Sequence, residues 1–412
     1  MFIKLLGGAC EVGKSGILIN SNSTNFILDY GVKIQPEPPQ YPIIPKRVDG
    51  IILTHSHLDH SGAIPILPNT PVYMTGVSSE LFELLIRDFM KVAKYRGYPI
   101  KFSKDDFKQV MKNIRIVDYE KSFFINNIYC KLFDAGHIPG SASIFMRAEG
   151  KNILYTGDIK LKSQRLVNGC ILPKEEIDVL IIESTYGDRD HPDRLKQEEK
   201  FKSEIDETIN QHGVVIVPTF AVGRAQEILL ILKDYVNYIA LDGMTKDASK
   251  IILNNKKYIK NYDELTRIFR KIKKIKNNKE RAKLLKKPNI IITTSGMLNG
   301  GPVVYYIKKI YNRKDAKILM TGFQIDGTPG KTLLDTGVFM NEDIKLPVRC
   351  PVKRFDFSSH AGRSELFDII KKLNPRQVIC VHGDNCDDFA KYIENDLMIP
   401  ATAPRNGDKI EI

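Results

Sequence analysis

The sequence lacks the features that mark membrane-spanning and disulfide-stapled proteins. No window approaches the roughly 18 consecutive uncharged apolar residues at which a transmembrane helix is predicted. The first ten residues, MFIKLLGGAC, lead into glycine-rich turn chemistry without the apolar core of a signal peptide. The six cysteines are scattered and form no CxxC pair, which argues against a disulfide framework and against a structural zinc knuckle. We therefore expect a soluble, cytoplasmic protein with buried thiols.

Acidic residues are outnumbered by basic ones. The 412 residues include 62 Lys and Arg against 49 Asp and Glu, a formal charge of +13. A hydrophobic content of 42% with 27% charged residues fits a globular protein with a sizeable core and excludes collagen, coiled coil and global disorder. The basic balance favours a polyanionic partner such as nucleic acid, although lysine enrichment also occurs in thermophilic proteomes.

Apolar runs of strand length alternate with segments of helical period along the chain. NFILDY, DVLIIES and QVICVHGD are typical of strands, and residues 78–95, 223–236 and 363–373 are typical of helices. This alternation predicts an α/β layered protein. The polar, turn-rich residues 186–194 and the proline-punctuated residues 337–354 enclose a segment with its own rhythm. We expect one domain built from residues 1–187 and 347–412, with a second domain, residues 188–346, inserted in it.

One segment inside the expected insertion is strongly basic. Residues 267–287 carry eleven Lys or Arg and one Glu, while Ile268, Phe269, Ile272 and Ile275 form a narrow apolar stripe at helical spacing. The pattern predicts a basic amphipathic helix or pair of helices. Two interpretations stay open, a solvated surface helix and a nucleic-acid rail.

The strongest chemical signal is the run His55-Ser56-His57-Leu58-Asp59-His60, which follows the apolar run GIILT. A strand-to-loop segment lets His55 and His57 project to one side, while Asp59 and His60 reach a neighbouring position. Three imidazoles and a carboxylate within six residues are donors that zinc and similar divalent ions accept. The spacing suits two metal ions.

Further donors stand where other predicted strands end. His137 lies in DAGHIPGS, Asp158 ends LYTGD, and His382 ends VICVHGD. Ligands of open α/β layers bind at the carboxyl edge of the strands, so donors from distant parts of the chain can converge there. Taken singly, His137 or His382 is typical of an ordinary, partly buried histidine. Their shared placement makes them candidate ligands.

In this order, the motifs resemble those of the metallo-β-lactamase superfamily, and the resemblance spans the whole chain. It implies a four-layer αββα core and two Zn²⁺ ions per chain, one held by His55, His57 and His137 and the other by Asp59, His60 and His382, with Asp158 bridging. Asp29, in NFILDYG, matches the first acidic motif and is expected to orient a ligand histidine. Its alternative role is that of a turn residue before Gly31.

The insertion between Asp158 and His382 is flanked by motifs that resemble those of the β-CASP nucleases. Glu183 in IIESTYG, His360 in DFSSHAG and His382 in CVHGD match their three motifs, and a histidine in the third goes with RNA-cleaving members. HSHLDH and DFSSHAG are similar to the cleavage and polyadenylation specificity factor branch, including its archaeal relatives. The resemblance implies an inserted α/β β-CASP domain, single-stranded RNA as the partner, and a role in mRNA 3′-end processing or RNA decay. It also points to a homodimer and to membership of an RNA-processing complex.

The implied chemistry is phosphodiester hydrolysis by a hydroxide that two metal ions activate. In this scheme Asp59 orients the hydroxide while binding metal, and His360, supported by Glu183, is the general acid. We expect RNA in the cleft between the core and the insertion. The residues expected to contact it are Arg224, Lys331, Lys353, Arg354, Ser358 and Ser359. Each also has an ordinary surface interpretation.

Two other functions stay open at this point. A small-ester metallohydrolase would have the same metal motifs. It would not need the insertion or the motifs around Glu183 and His360. A catalytically inactive scaffold subunit of an RNA 3′-end processing complex requires degraded ligand motifs, and none of the seven is degraded. The sequence does not decide between an endonuclease and a 5′-to-3′ exonuclease.

Overall fold

The structure is a computed structural model that describes residues 1–341 and 344–412, which form 22 β-strands and 12 α-helices. The strands are β1 (Phe2–Gly7), β2 (Gly16–Ser21), β3 (Thr24–Tyr30), β4 (Gly50–Ile52), β5 (Val72–Met74), β6 (Ile114–Ile116), β7 (Ser122–Ile125), β8 (Ile128–Asp134), β9 (Ala142–Ala148), β10 (Lys151–Tyr155), β11 (Val179–Glu183), β12 (Val214–Pro218), β13 (Ile239–Asp242), β14 (Lys273–Lys274), β15 (Asn289–Thr293), β16 (Ala316–Met320), β17 (Val338–Asn341), β18 (Ile344–Pro347), β19 (Val352–Arg354), β20 (Gln377–Val381), β21 (Ala401–Thr402) and β22 (Lys409–Glu411). Positions 342 and 343 of the expected proline-punctuated link lie outside the described residues.

Helices follow most of the strands. They are α1 (Leu58–Ser61), α2 (Gly76–Arg96), α3 (Lys104–Asn113), α4 (Arg194–Asn210), α5 (Arg224–Ile231), α6 (Thr245–Asn254), α7 (Tyr262–Lys271), α8 (Asn278–Leu284), α9 (Pro302–Ile310), α10 (Pro329–Thr336), α11 (Arg363–Leu373) and α12 (Cys386–Leu397). Among the described residues, no helix combines the length and the apolarity that a membrane crossing requires.

The chain divides into two compact units. Unit 1 contains residues 1–190 and 359–412, and unit 2 contains residues 191–358. Residues 347–358, which the expected boundary at residue 346 placed in the first domain, are grouped with unit 2. The reason is that β19 pairs in parallel with β16, and Phe355 and Phe357 pack against Phe201 of α4.

Unit 1 is a four-layer αββα sandwich. One seven-stranded sheet has the order β22-β1-β2-β3-β4-β5-β6, and the other has the order β21-β20-β11-β10-β9-β8-β7. Apolar side chains of both sheets, such as Ile19 and Ile144, share one buried core. The outer face of the first sheet packs on α2 and α3 through residues such as Phe82 and Phe107, and that of the second packs on α11 and α12 through residues such as Phe389. This αββα architecture confirms the predicted fold class of the core.

Unit 2 contains a parallel sheet with the order β14-β13-β15-β12-β16-β19, and a separate hairpin of β17 and β18. All side chains of β12 and β15 are buried, which is typical of parallel strands covered on both faces. The predicted helix over residues 223–236 is shorter in the structure. It ends at Ile231 and is followed by a 3₁₀ turn over Lys233–Tyr235.

Candidate metal centre and active site

The HSHLDH run turns sharply at the carboxyl end of β4. After Ile52 the chain passes through buried Leu53, Thr54 and His55, and His57 is the N-cap of the one-turn helix α1. Helix α1 begins at Leu58, so Asp59 and His60 lie in its first turn. The extended part and the helical turn therefore present the four donors to two neighbouring positions, as the spacing predicts.

One group of donors consists of His55, His57, His137 and Asp158. The Nε2 atom of His55 lies 3.1 Å from Nδ1 of His57 and 3.4 Å from Oδ2 of Asp158. The Nε2 atom of His137 lies 3.4 Å from Nδ1 of His57 and 3.6 Å from the same carboxylate oxygen. Three ring nitrogens and one oxygen thus face a common point.

A second group contains Asp59, His60 and His382. The Nε2 atom of His382 lies 3.5 Å from Oδ2 of Asp59, and Nε2 of His60 lies 3.9 Å from that oxygen. The other oxygen of Asp158, Oδ1, lies 3.2 Å from Nε2 of His60 and 3.4 Å from Nδ1 of His382. Asp158 therefore turns one carboxylate oxygen toward each donor group.

The outer hydrogen bonds assign the tautomers of these histidines. The hydroxyl of Thr54 donates to Asp29, so its oxygen accepts from Nδ1 of His55 at 3.0 Å. Nδ1 of His137 donates to the Ser359 carbonyl at 3.0 Å, and Nδ1 of His60 donates to Asp29 at 2.7 Å. In the neutral form, all three rings therefore carry a lone pair at Nε2, which faces the donor groups.

These atoms fit divalent metal ions. Nε2 of His60, Nε2 of His382 and Oδ1 of Asp158 are buried and have no hydrogen-bond partner among the described residues. Buried polar atoms without a partner are costly, and a shared cation removes that cost. Neutral imidazole nitrogens and carboxylate oxygens are also the donors that zinc accepts.

In the group of His55, His137 and Asp158, the pKa shifts favour the protonation states that bind metal. Burial holds the pKa of His55 and of His137 well below the ordinary value, so both rings are neutral. Burial acts to raise the pKa of Asp158, but the surrounding imidazoles outweigh it, and the pKa lies well below its usual range. Metal binding requires neutral histidine and ionised carboxylate, and this part of the site supplies both.

Asp29 holds His60 of the second group through a hydrogen bond that it accepts from the outer ring nitrogen, Nδ1. The side chain is fully buried, and it accepts hydrogen bonds from His60, from both the backbone amide and the hydroxyl of Thr54, and from Tyr155 at 2.9 Å. It holds a left-handed φ of 56°, a conformation that non-glycine residues adopt only when the surroundings enforce it. The hydrogen bond to His60 fixes the orientation of that ring, and the role of Asp29 toward a bound metal stays a prediction.

His382 also holds a left-handed backbone, with a φ of 52°, directly after β20. Its amide donates to the Gly8 carbonyl at 2.8 Å. The Thr185 hydroxyl donates to the His382 carbonyl and lies 3.3 Å from Nδ1 of the ring. The loop after β20 is thus held by hydrogen bonds to the segments that follow β1 and β11. These bonds fix the backbone that carries the His382 ring, which faces Asp59.

His360 and Glu183 form a pair beside the donor groups. Nδ1 of His360 donates to Oε2 of Glu183 at 2.8 Å, and Nε2 lies 3.9 Å from Asp158. The other Glu183 oxygen accepts from the Ile159 amide. Burial acts to lower the pKa of His360, but the charges of Glu183 and Asp158 outweigh it and raise the pKa to about 9. With 21% of its side chain exposed, His360 is a protonated group within reach of a substrate.

A buried lysine supports the His360 loop. Nζ of Lys160 donates to the His360 carbonyl at 2.9 Å and to Glu365 at 2.8 Å. The second Glu365 oxygen accepts from the amides of Leu161 and Lys162. This ion pair therefore joins the loop that follows Asp158 to the first turn of α11.

The other predicted substrate contacts lie in different surroundings. Ser359 is buried in unit 1, where its carbonyl orients His137. Ser358 and Arg224 are buried in unit 2, with Arg224 opening α5. The Lys331 ammonium pairs with Asp335 at 2.6 Å, and Lys353 pairs with Glu204 at 2.6 Å.

Four side chains that shape the site have no signal in the spacing of motifs. Thr54, Tyr155, Lys160 and Thr185 act through hydrogen bonds to residues distant in sequence. Two of them are close to a donor in sequence, since Thr54 directly precedes His55 and Lys160 follows Asp158 by two positions. Position next to a ligand is the one sequence feature that could have indicated them.

Comparisons with known families cover most of the chain. Residues 16–207 match the metallo-beta-lactamase superfamily, and residues 225–333 match the Beta-Casp domain. Residues 345–404 match a family described as the Zn-dependent metallo-hydrolase RNA specificity domain.

Similar whole proteins come from archaea. The chain is 39% identical to a Methanocaldococcus jannaschii protein named "Probable RNase MJ4", over 100% of both chains. It is 34% identical to RNase aCSPSF2 of Saccharolobus solfataricus, over 100% of this chain and 85% of that protein. It is 32% identical to the transcription termination factor FttA of M. jannaschii, over 100% of this chain and 71% of that protein.

A solved structure supports the fold alone. The Enterococcus faecalis protein of unknown function matches 99% of this chain and 99% of its own with a TM-score of 0.64, at 14% sequence identity.

Proposed function

Because the chain belongs to the β-CASP family of the metallo-β-lactamase superfamily, we propose that it is a zinc-dependent ribonuclease that hydrolyses RNA phosphodiester bonds. The observation that carries this proposal is Asp158, whose two carboxylate oxygens each face a separate group of donors. The names of similar proteins, RNase and transcription termination factor, support RNA as the substrate and a role in RNA 3′-end processing or decay.

In this proposal, two Zn²⁺ ions are bound per chain. His55, His57 and His137 would hold one, Asp59, His60 and His382 would hold the other, and Asp158 would serve both groups. When bound, such a pair supplies Lewis acidity that generates a strong nucleophile from water near neutral pH and neutralises charge on the scissile phosphate. Because the nucleophile comes from water, the chemistry does not require the ribose 2′-hydroxyl, and preference for RNA depends on binding.

The remaining steps belong to the protein's own side chains. Protonated Nε2 of His360 donates a proton to the leaving oxygen, and Glu183 keeps that ring protonated and oriented. Asp59 orients the attacking oxygen. Asp29 and the Ser359 carbonyl hold His60 and His137 so that their Nε2 atoms stay directed inward.

A metal and cleavage assay on an Asp158→Asn variant tests the proposal. We expect the native chain to purify with about two zinc equivalents and to cleave labelled single-stranded RNA. Loss of the bridging charge removes several kcal/mol of transition-state stabilisation, so the variant should cleave at least about 10³-fold more slowly and bind less zinc. The matched control is Asp178→Asn, the same chemical change at a position outside the donor groups.

Contrary results lead to specific alternatives. A chain that binds no zinc and cleaves no RNA is an inactive scaffold subunit, and one that hydrolyses small esters but not RNA is a different metallohydrolase. Circular RNA separates the modes of cleavage, since an obligate 5′-to-3′ exonuclease does not cut it.

A further inference from the structure

Unit 2 carries a concentration of cations that the proposed chemistry does not use. We call it the basic surface and define it by six exposed residues of α7, α8 and their connections: Arg270, Lys271, Lys276, Lys279, Lys283 and Lys286. The apolar side chains of the same segment, Ile268, Ile272, Ile275 and Leu284, are at most 3% exposed. The segment therefore anchors itself through its apolar residues and presents its charges to solvent.

None of the six cations forms an ion pair with any residue that the structure describes. Nearby acids are already engaged, since Glu264 pairs with Arg267 and Lys233, and Glu280 accepts from the Lys276 amide. Other lysines of unit 2 are paired, for example Lys317 with Glu204. The concentration of one sign of charge is thus a local property of this surface.

Stability of the fold does not account for the basic surface. Lys279 and Lys283 stand four positions apart in α8, and like charges at that spacing destabilise a helix by a few tenths of a kcal/mol. Lysine on an edge strand prevents edge-to-edge aggregation, which explains Lys273 and Lys274 of β14. The six cations lie outside that strand, so protection of the edge does not require them.

The basic surface lies beside β14, at one edge of the six-stranded sheet, and β19 forms the opposite edge. Five spacings between neighbouring strands, at about 4.8 Å each, separate these edges by about 24 Å. β19 is the strand that leads along the chain toward Ser358 and His360. Within unit 2, the basic surface is therefore distant from the segment that enters the His360 motif.

We propose that the basic surface binds the phosphate backbone of single-stranded RNA, as a sequence-independent second contact that retains long substrates. The choice of RNA as the ligand rests on the proposed ribonuclease function. When unpaired cations bind phosphates, the counterions condensed on the RNA are released, which favours binding. Neighbouring positions on a helix face are about 5 to 6 Å apart, so several phosphates can be contacted together. In this proposal, short RNA contacts the catalytic site alone, and only long RNA also contacts the basic surface.

The test compares two fourfold substitutions in the full-length, zinc-loaded chain. One variant changes Lys276, Lys279, Lys283 and Lys286 to Gln. The control changes four exposed lysines of α2 and α3 in unit 1 to Gln, namely Lys91, Lys94, Lys104 and Lys112. Both variants lose the same charge, and unchanged melting temperatures show that both fold.

The measurements are affinity for long single-stranded RNA between about 50 and 200 mM salt, and cleavage of a short oligonucleotide. At low salt, we expect the first variant to bind long RNA at least about tenfold more weakly. The slope of the logarithm of its binding constant against the logarithm of salt concentration should be smaller in magnitude by up to about 2.8, because each of four lost phosphate contacts contributes about 0.7. The first variant should cleave the short oligonucleotide at the native rate. The control should match the native chain both in binding to long RNA and in cleavage of the short oligonucleotide.

Unchanged affinity and salt slope for long RNA would overturn the proposal, and so would an equal loss in the control. If the first variant keeps RNA binding but loses binding to polyglutamate, the surface recognises an acidic protein and the proposal is wrong. Failure of the proposed function is distinguishable. In that case the native chain cleaves neither short nor long RNA, while the difference in long-RNA binding between the variants persists.

Discussion

The partner of each histidine's outer nitrogen decides what its inner nitrogen can do. His55 and His137 donate to a hydroxyl and a carbonyl, which are neutral, so each ring stays neutral with a lone pair directed inward. His360 donates to the Glu183 carboxylate, which favours the imidazolium. The rings of His137 and His360, whose centroids lie 4.7 Å apart, are thereby suited to the different roles that the proposed function gives them.

Replacement of Glu183 by Gln tests this division of roles. A general acid is active below its pKa. In the proposed zinc-bound state Asp158 is engaged by the cations, so Glu183 is the remaining charge that raises the pKa of His360. In Glu183→Gln, we expect the pKa of His360 to fall toward its ordinary value. The alkaline limb of kcat/KM, measured on a short oligonucleotide at saturating zinc, should move to lower pH. Glu175→Gln, a surface change in the same unit, should leave the limb in place, and identical limbs in both variants would exclude Glu183 from this role.

The buried carboxyl of Asp134 predicts how the stability of the fold depends on pH. Burial raises the pKa of this carboxyl to about 6, although the Gly136 amide donates to it. The folded chain then binds the proton more tightly than the unfolded chain, so the free energy of unfolding falls as pH rises from about 4 to about 6. Asp134→Asn removes this cost while its amide oxygen still accepts from Gly136. Above pH 6, we expect the variant to be more stable by up to about 3 kcal/mol.

The measurement for Asp134 is urea denaturation at several pH values. The stability difference between the native chain and the variant should vanish near pH 4 and reach a constant value above pH 6. A difference that does not change with pH would show that ionisation of Asp134 is not its cause.

At the scale of secondary structure, sequence patterns predict the elements better than their ends. NFILDY, DVLIIES and QVICVHGD all contain strands, because a continuous apolar run is what a doubly covered strand requires. The helix predicted over residues 223–236 stops at Ile231, since the next residues adopt a 3₁₀ turn around Lys233–Tyr235. The boundary of the insertion depends on pairing of β19 with β16, a long-range contact that local patterns do not contain.

The loop between β10 and β11 depends on the buried ion pair of its Lys160 with Glu365 of α11. Removing one partner of a buried ion pair leaves the other charge uncompensated. We expect Lys160→Met to lower the free energy of unfolding by about 3 kcal/mol and to slow cleavage, because the His360 carbonyl loses its donor. Lys162→Met makes the same chemical change at an exposed position two residues on and should have little effect on either property. Chemical denaturation and cleavage of a short oligonucleotide measure the two effects, and equal stability of both variants would contradict the role of the pair.

At the scale of the whole molecule, the donors of unit 1 join the two ends of the chain. His55 and His382 are 327 positions apart in sequence, yet both face Asp158. The seven donors could be predicted because each follows a strand and carries a recognisable motif. Tyr155, which donates to Asp29 across the site, could not, since a tyrosine in an apolar run is typical of any core. Motifs indicate which residues meet, whereas the hydrogen bonds that orient them arise only from the complete fold.

Because ligands come from both ends of the chain, metal binding should stabilise unit 1 in particular. A ligand that binds only the folded state stabilises it by RT ln(1 + [L]/Kd), about 4 kcal/mol at a free concentration of 1,000 Kd. Chelation should therefore speed hydrogen exchange in β20, which leads to His382, through local opening of the C-terminal part of unit 1. Strand β12 in unit 2 contains none of the candidate metal ligands, so its amides should exchange at an unchanged rate. In Asp158→Asn, which already binds less metal, the chelator should add little. Equal acceleration in β12 and β20 would mean that the donors stabilise the chain as one cooperative whole rather than closing unit 1 alone.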